Sequence, residues 1–364
     1  MPEKTKLYLA AVIIAIIIIG AGYWAYVSYF APKPQAKYKF AIFISTLGNP
    51  YFVTLKDGAQ TAADELNVKL LVYDAQNDPQ LQLTQVEEAI GLQVDALLIN
   101  PCDKDAIVPA IEEANDAGIP VITTDRDAAG GERLCFIGSD NVHGGELAAK
   151  ALIEGLRAAG KPQPWKIVIL NGIPGTTAAI DRKTGFHNIL DAFKENGTIE
   201  EIIEEVANFD RNQGYEKMAT ILADNPDVVG VVAANDEMAL GAIEAIEDAG
   251  KTPGTDIIVV GYDAIDDAVA AIKEGKMYAT IAQSPFLQGY WAVYAAYKYL
   301  EGEWTPPQFF IPTPLLVVTS ENADTFASEV KTPQPLPGDP PMNLAGFEEI
   351  LTYVGDFIKK IFAE

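Results

Sequence analysis

The side chains best suited to chemistry in this chain are carboxylates, amides, guanidinium groups and aromatic rings that follow short apolar runs. In chain order they are Ser45, Asn49, Tyr51, Phe52, Asn100, Asp125, Arg126, Arg182, Phe209, Asn235, Asp263 and Gln283. Carboxylates, amides and guanidinium groups hydrogen-bond vicinal hydroxyls in pairs, and an aromatic face covers an apolar C–H surface. These residues predict a binding site for a small neutral polyol.

The sequence does not carry the usual signatures of catalysis or metal binding. The two histidines, His143 and His187, stand in neither a metal-ligand spacing nor a serine-triad context, and the two cysteines form no cluster that would hold zinc. The turn at 171–177 has neither the spacing of a dinucleotide-binding loop nor the lysine of a P-loop. We therefore predict a binding protein that is not an enzyme and uses no metal or cofactor.

Short β-branched runs alternate with longer amphipathic runs along most of the chain. The predicted strands are Tyr38–Ser45, Val68–Tyr73, Ala96–Asn100, Ile119–Thr124, Leu134–Gly138, Lys166–Asn171, Ile199–Ala207, Val228–Ala233, Asp256–Gly261 and Ala279–Ala282. Several of them are almost continuously apolar, which is typical of parallel strands buried on both faces. The alternation predicts a doubly wound α/β fold.

An internal repeat indicates two related halves. Residues 110–118 recur as residues 242–250, and in both copies a helix ends at glycine before a strand that leads to an aspartate, Asp125 or Asp263. Ligands of open α/β sheets bind beyond the carboxyl ends of the strands. Two such sheets facing one another would bring both aspartates into one cleft.

These motifs resemble those of the type I periplasmic sugar-binding proteins of ABC transporters, in particular the ribose-binding members. The resemblance covers about residues 38–318 and is densest at 45–59, 98–101, 119–126, 235–241 and 279–283. It implies two doubly wound parallel-sheet lobes joined by a three-strand hinge, with crossings near Ser139, Gln283 and Ile311. It also implies that a bound sugar stabilises the closed form, which then docks on an ABC transporter permease.

The resemblance also implies a role for each site residue. The residues expected to hydrogen-bond the hydroxyls and ring oxygen of a pyranose are Asn49, Asp125, Arg126, Arg182, Asn235, Asp263 and Gln283. Tyr51, Phe52 and Phe209 would enclose the ring, with Tyr262 close behind. Tyr51 and Tyr262 stand where the ribose-binding pattern has phenylalanine, and Gly48 replaces an asparagine. The implied ligand is therefore ribose or a related monosaccharide.

The ends of the chain differ from its middle. Residues 7–30 form a run of 24 without a charge, long enough for one membrane-spanning helix, with aromatic residues crowded near its end. We favour an uncleaved anchor over a signal peptide because the flanking residues are bulky. The predicted organisation is an anchor at 1–30, a linker at 31–37, a first lobe at 38–138 plus 284–310, a second lobe at 139–283 plus 311–330, a Pro-rich extended spacer at 331–342 and an amphipathic helix at 343–364.

Charge and cysteine content limit the partners. The net charge of −25 disfavours nucleic acid, so the expected partners are a monosaccharide, an ABC permease and, through the anchor, the cell membrane, with the body on the extracytoplasmic face. The alternative is a sensor that presents the sugar-bound form to a membrane kinase or chemoreceptor. Cys102 and Cys135 are consistent with one disulfide or with two buried thiols. The C-terminal helix is consistent with packing on the body or with docking on a membrane surface or a partner.

Overall fold

Two largely parallel β-sheets dominate the computed structural model, which describes residues 35–329 and 332–339. The α/β class with two parallel-sheet lobes is confirmed for this part of the chain. The predicted anchor at 1–30 and the predicted helix at 343–364 lie outside the described residues. Among the helices that are described, none combines the length and the apolar character needed to cross a bilayer.

The elements follow one another in alternating order. The strands are β1 Lys39–Ile44, β2 Lys69–Asp74, β3 Ala96–Ile99, β4 Val121–Thr124, β5 Cys135–Gly138, β6 Trp165–Asn171, β7 Ile199–Val206, β8 Gly230–Ala233, β9 Ile258–Val260, β10 Thr280–Ala282, β11 Phe310–Pro312 and β12 Leu316–Val318. The helices are α1 Pro50–Glu65, α2 Pro79–Gly91, α3 Val108–Asp116, α4 Asn141–Ala158, α5 Thr177–Glu195, α6 Arg211–Asp224, α7 Asp236–Asp248, α8 Asp266–Lys273, α9 Pro285–Leu300 and α10 Ala323–Glu329.

The first lobe is a parallel sheet with strand order β11-β5-β4-β3-β1-β2. Alternate residues of β1 face opposite sides: Phe40 and Ile42 join the core that includes Leu55 of α1, whereas Phe43 joins the core that includes Ile111 of α3. All five are fully buried. A sheet buried on both faces explains the continuous apolar runs seen in the sequence.

The second lobe is built in the same way, with parallel strands in the order β7-β6-β8-β9. Parallel bridges from Val260 to Ala279 and from Asp263 to Ala282 place β10 beside β9, and β12 then pairs antiparallel with β10. The β8–α7 and β9–α8 connections leave from the same edge of this sheet. That edge carries Asn235 and Asp263.

Three crossings join the lobes, after β5, after β10 and between β11 and β12. Residues from the three crossings touch: the Ser139 hydroxyl lies 3.3 Å from that of Thr313, which donates to the Gln283 carbonyl at 3.0 Å. The third crossing begins after Pro312, next to Ile311, because all of β11 pairs with β5 in the first sheet. The predicted boundary at 310/311 therefore falls within a strand.

The described part of the Pro-rich spacer, residues 332–339, differs from the extended tether expected from its composition. The indole nitrogens of Trp291 and Trp304 donate to backbone carbonyls of this segment, at 2.9 Å and 3.0 Å. Leu336 is only 3% exposed, and Asp339 forms an ion pair with Lys298 of α9. The chain thus returns to the first lobe after α10, which lies beside α8 of the second lobe.

The two cysteines are free and buried. Cys102 follows β3 and Cys135 begins β5. Burial raises the pKa of each thiol to about 12, so both stay protonated at neutral pH. Of the two arrangements left open by the sequence, the structure has the pair of buried thiols.

Candidate functional site

A small cavity between the lobes collects most of the predicted site residues. It is lined by Asn49, Tyr51, Phe52, Asp125, Arg126, Ala178, Arg182, Phe209, Asn235 and Asp263. The first five belong to the first lobe and the others to the second. The volume of about 20 Å³ accommodates about one water molecule. A monosaccharide therefore enters only if the lobes or these side chains move apart.

Nine of the thirteen predicted residues line this cavity, and the other four lie behind it. Ser45, Asn100, Tyr262 and Gln283 are fully buried and contact the lining residues or their neighbours. Tyr262 and Gln283 support the Arg182 and Asp263 side chains, while Asn100 supports Asp125. The structure therefore divides the predicted set into groups that face the cleft and groups that position them.

Asp125 is held at the tip of β4 by polar contacts from the first lobe. Its Oδ2 accepts from Nδ2 of Asn100 at 3.0 Å, and the Asn100 carboxamide oxygen accepts from the backbone N–H of Ser45 at 3.0 Å. Its Oδ1 accepts from the Tyr51 hydroxyl at 2.9 Å. Only 2% of Asp125 is exposed. These bonds set the carboxylate plane before any ligand is present.

Arg182, in α5 of the second lobe, is likewise held by several polar contacts. Its guanidinium donates to Asn141 Oδ1 at 2.8 Å, to the Ala234 carbonyl at 2.7 Å and to Gln283 Oε1 at 2.9 Å. It also lies 3.9 Å from the centroid of the Tyr262 ring and 3.6 Å from Oδ1 of Asp263. Contacts on its plane and its edge orient the group more strictly than a single ion pair would.

Arg126 lies between aromatic rings from the two lobes. The carbon at the centre of its guanidinium lies 5.2 Å from the Phe52 ring centroid and 5.6 Å from that of Phe209. Its Nε is buried without a hydrogen-bond partner, 3.6 Å from Oδ2 of Asp125. Buried donors are rarely left unpaired in proteins, so a ligand hydroxyl would have a ready partner here.

Asn49 and Asn235 are helix caps as well as lining residues. Oδ1 of Asn49 accepts from the Tyr51 N–H at the start of α1, and Oδ1 of Asn235 accepts from the Met238 N–H at the start of α7. Capping orients each amide group with its Nδ2 as the remaining donor. In Asn235 that donor contacts the Phe209 carbonyl at 3.3 Å.

Burial dominates the electrostatics of the cleft. It raises the pKa of the Asp263 carboxyl well above its usual range, and the nearby Arg182 charge opposes this only in part. Burial also lowers the pKa of Arg126, against the attraction of Asp125. Burial lowers the pKa of Arg182 as well, but the electrostatic effects of Tyr262 and the nearby carboxylates are larger together, so the pKa is raised. Both guanidinium groups remain charged, because arginine deprotonates only far above neutral pH.

Sequence reasoning did not identify several residues that organise the site. Ala178 lines the cavity, Asn141 holds Arg182, and Asp236 binds Thr280 and the Ile265 N–H behind the Asp263 loop. The fourth, Gln288, contacts Tyr51 and the hinge. A single amide within the otherwise apolar first half of α9 was the signal that could have revealed Gln288.

A larger cavity of about 270 Å³ lies beside the first one. It shares Tyr51 and Asp263 with the smaller cavity, but is otherwise lined by the starts of α1, α8 and α9 and by Phe326. Neither Asp125, Arg126, Arg182 nor Asn235 lines it. The smaller cavity is therefore the candidate site, because it contains the charged and aromatic groups of both lobes.

Two lobes that close over a polar, aromatic-lined cavity define a solute-binding protein of the periplasmic type. Residues 40–303 match the family described as periplasmic binding protein domain. The chain therefore belongs to the periplasmic binding protein family, and the expected resemblance to its ribose-binding members is confirmed. It is 43% identical over 283 residues to the ribose import binding protein RbsB of Escherichia coli, covering 78% of this chain and 92% of that one.

Other relatives and solved structures that resemble this chain are also sugar-binding proteins. The ribose import binding protein RbsB of Bacillus subtilis is 42% identical over 269 residues, covering 74% of this chain and 84% of the relative. A solute-binding protein from Actinobacillus succinogenes, solved with bound D-allose, is 34% identical with a TM-score of 0.71, over 79% of this chain and all of the other. A galactofuranose-binding protein is 26% identical with a TM-score of 0.74, over 82% of this chain and 99% of the other.

Proposed function

We propose that this chain is the substrate-binding component of an ABC sugar importer and binds ribose or a related monosaccharide between its lobes. The observation that carries the proposal is that Asp125 of the first lobe and Asp263 of the second line the same cavity. A ligand placed there contacts both lobes at once, so its binding free energy favours the closed form. The similarity to ribose import binding proteins supports the same ligand class.

The chemistry of the lining suits a neutral polyhydroxylated ring. Carboxylate oxygens of Asp125 and Asp263 accept from hydroxyls, while the amide of Asn49 and the unpaired Nε of Arg126 donate to them. Phe52 and Phe209 come from opposite lobes, and their rings cover the apolar faces of a sugar once the Arg126 guanidinium shifts from between them. Each charge-assisted hydrogen bond contributes roughly 1.5–3 kcal/mol net.

Direct contacts across the cleft support a closing motion. The Asp127 N–H donates to the Thr177 hydroxyl at 3.0 Å, and the Lys104 N–H donates to the Gly175 carbonyl at 3.0 Å. Both bonds join the first lobe to the second, near the mouth of the cavity. Opening breaks them, and the hinge at Ser139, Gln283 and Thr313 absorbs the rotation.

The proposal is tested by calorimetry on the full-length chain in detergent, with ribose, allose, xylose, galactose and glucose. We expect Arg182→Ala and Asp125→Ala to lower the affinity for the preferred sugar at least about a hundredfold. Arg182→Ala removes charge-assisted bonds to the ligand, and Asp125→Ala leaves Asn100, Tyr51 and Arg126 without their partner in a dry cleft.

Arg211→Ala is the matched control, because Arg211 also forms ion pairs, with Glu237 and Asp267, but outside the cavity. It should bind like the wild type. Circular dichroism melting checks that all variants fold. The proposal fails if the wild type binds none of the five sugars, or if both cleft variants keep wild-type affinity.

We further propose that residues 7–30 anchor the protein in the cell membrane, with the sugar-binding body on the extracytoplasmic face. The uncharged length and the aromatic cluster at 23–29 support a membrane-spanning helix. A tethered binding protein stays near its permease, so its effective concentration there is raised without any added contact. This placement is consistent with import from outside the cell.

A further inference from the structure

The Tyr51 hydroxyl occupies an unusual position between the sugar site and the hinge. Tyr51 lies in the first turn of α1 and is 3% exposed. Its hydroxyl oxygen lies 2.9 Å from Oδ1 of Asp125 and 2.9 Å from Oε1 of Gln288, which is in the first turn of α9. A phenylalanine, which the ribose-binding pattern has here, would make neither contact. Both contacts therefore depend on the tyrosine hydroxyl of this chain.

The hydroxyl has one proton and two neighbouring acceptors, so it donates to only one of them. Burial raises the pKa of Tyr51, followed by the effect of the Asp125 charge, so the proton stays on the hydroxyl. A charged acceptor makes the stronger hydrogen bond, so the Tyr51 hydroxyl donates to Asp125 rather than to Gln288. The Gln288 Nε2 faces the Gln283 carbonyl and the hydroxyls of Ser139 and Thr313, so its Oε1 remains the second, neutral acceptor beside the Tyr51 hydroxyl.

This arrangement uses much of the hydrogen-bonding capacity of Asp125. Oδ1 accepts from Tyr51, and Oδ2 accepts from Asn100 with Arg126 3.6 Å away. Asp263 is different, because its contacts with Gln283 at 2.5 Å and Arg182 at 3.6 Å both fall on Oδ1. Oδ2 of Asp263 keeps both of its acceptor sites. The two aspartates therefore offer unequal numbers of sites to a ligand.

We propose that Tyr51 is a specificity-determining residue: its hydroxyl takes the place on Asp125 that a sugar hydroxyl would otherwise fill. This inference rests on the proposed function and narrows its ligand class. The sugar hydroxyl facing Asp125 is recognised weakly, and those facing Asp263 strongly. Pentoses that lack the hydroxyl on the Asp125 side, such as one of the monodeoxyriboses, bind almost as well as ribose itself.

The test compares the wild type with Tyr51→Phe, using calorimetry with ribose and its monodeoxy derivatives. In the wild type, the affinity for ribose should exceed that for one monodeoxyribose by no more than about threefold. In Tyr51→Phe the freed Oδ1 accepts from that hydroxyl, and the ratio should rise to about tenfold or more, which corresponds to about 1.4 kcal/mol. The remaining monodeoxyriboses should bind poorly to both proteins.

Two further variants separate specificity from general effects on the fold. Tyr290→Phe is matched to Tyr51→Phe, because it also removes a buried hydroxyl that bonds a carboxylate, that of Glu65 at 2.7 Å, but away from the cleft. In Tyr290→Phe, the ratio of the affinity for ribose to that for each monodeoxyribose should equal the wild-type ratio. Gln288→Leu keeps the Tyr51–Asp125 bond and weakens the hinge, so it should lower all affinities alike.

The outcomes distinguish this inference from the proposed function. Unchanged ratios in Tyr51→Phe, with normal ribose binding, overturn the role of Tyr51 and leave the sugar site standing. A Gln288→Leu variant that shifts the ratios as Tyr51→Phe does would also overturn it, since the effect would then arise in the hinge. If ribose binds to neither wild type nor variant, both the ribose assignment and this inference are lost.

Discussion

Three residues of the candidate site hold backbone conformations that L-amino acids seldom adopt. The φ angles are 61° for Asp125, 60° for Phe209 and 121° for Asp263. Such conformations cost of order 1–3 kcal/mol each and persist where the surrounding structure enforces them. Each residue leaves the end of a strand or precedes a helix, so the turn directs its side chain into the cleft. Local strain thus accompanies the residues that we expect to contact the sugar.

Asp236 shows how a residue that never reaches the cleft organises it. Its fully buried carboxylate accepts from the Thr280 hydroxyl at 2.7 Å and from the Ile265 N–H at 3.0 Å. It thereby ties α7 to β10 and to the loop that carries Asp263. Burial raises its pKa to about 7, despite these hydrogen bonds, which favour the charged form.

A pH dependence of stability follows from that pKa. Between about pH 4 and pH 7 the folded protein holds a proton on Asp236 that the unfolded chain has released, so the free energy of unfolding decreases as the pH rises. Asp236→Asn carries no titrating group and should reduce this decrease. Urea unfolding at pH 5 and pH 8 measures the difference. Asp116→Asn, an exposed change on α3, is the control, and equal pH dependence in all three proteins would contradict the prediction.

At the scale of elements, pairs of glycines set the distances between neighbouring helices. In each pair, an added Cβ would clash with a backbone carbonyl oxygen of the other helix, at 2.0–2.6 Å. The pairs are Gly58 with Gly289 between α1 and α9, Gly145 with Gly185 between α4 and α5, and Gly214 with Gly241 between α6 and α7. The second pair brings α4 against the turn of α5 that carries Arg182.

Gly289→Ala should destabilise the protein by about 1–3 kcal/mol. Its Cβ would lie 2.0 Å from the Leu55 carbonyl oxygen, so α1 and α9 must separate, and both helices begin beside the site. Gly91→Ala is the matched control, because it lies in α2 with no atom within 4 Å of the new Cβ. That change should be neutral or slightly stabilising. Chemical unfolding measures both, and equal stabilities would contradict the role of the close contact.

At the scale of the whole molecule, the proposed anchor determines where the binding body works. Deleting residues 7–30 should move the protein from carbonate-washed membranes to the soluble fraction. Immunoblotting of the fractions measures this, and the net charge of −25 argues against retention by anionic lipids alone. Mass spectrometry of the full-length product provides the second readout, because a chain shortened at its N-terminus would indicate a cleaved signal peptide and contradict the anchor. The deleted form should keep its sugar affinity.

The described C-terminal residues pack on the first lobe, a contact that composition did not predict. Proline-rich segments lack helix and favour extended conformations, so the composition of 331–342 predicts an extended spacer. The two tryptophans that hold residues 332–339 lie on and just after α9, distant in sequence from the segment. Tryptophan indoles that need acceptors when buried provide the physical reason for this docking.

The sequence by itself determined the α/β class, the first ten strands along the chain and the residues at their carboxyl ends, but not β11 and β12. Local patterns were sufficient for these features, because strand burial, helix ends and turns are recorded in neighbouring residues. The family motifs carried the implied roles of Asp125, Arg182 and Asp263. The parallel topology then requires the carboxyl ends of the strands to meet at one edge of each sheet.

Only the tertiary structure decided which of those residues face the cavity and which support them. Tyr51 and Gln288 are 237 residues apart, and Arg182 and Gln283 are 101 apart, yet the polar groups of each pair lie 2.9 Å from each other. No local pattern records such pairs, because their partners are brought together by the packing of α9 and the hinge. The same reason explains why Asn100 and Tyr262 lie behind the cavity, and why the third crossing follows Pro312.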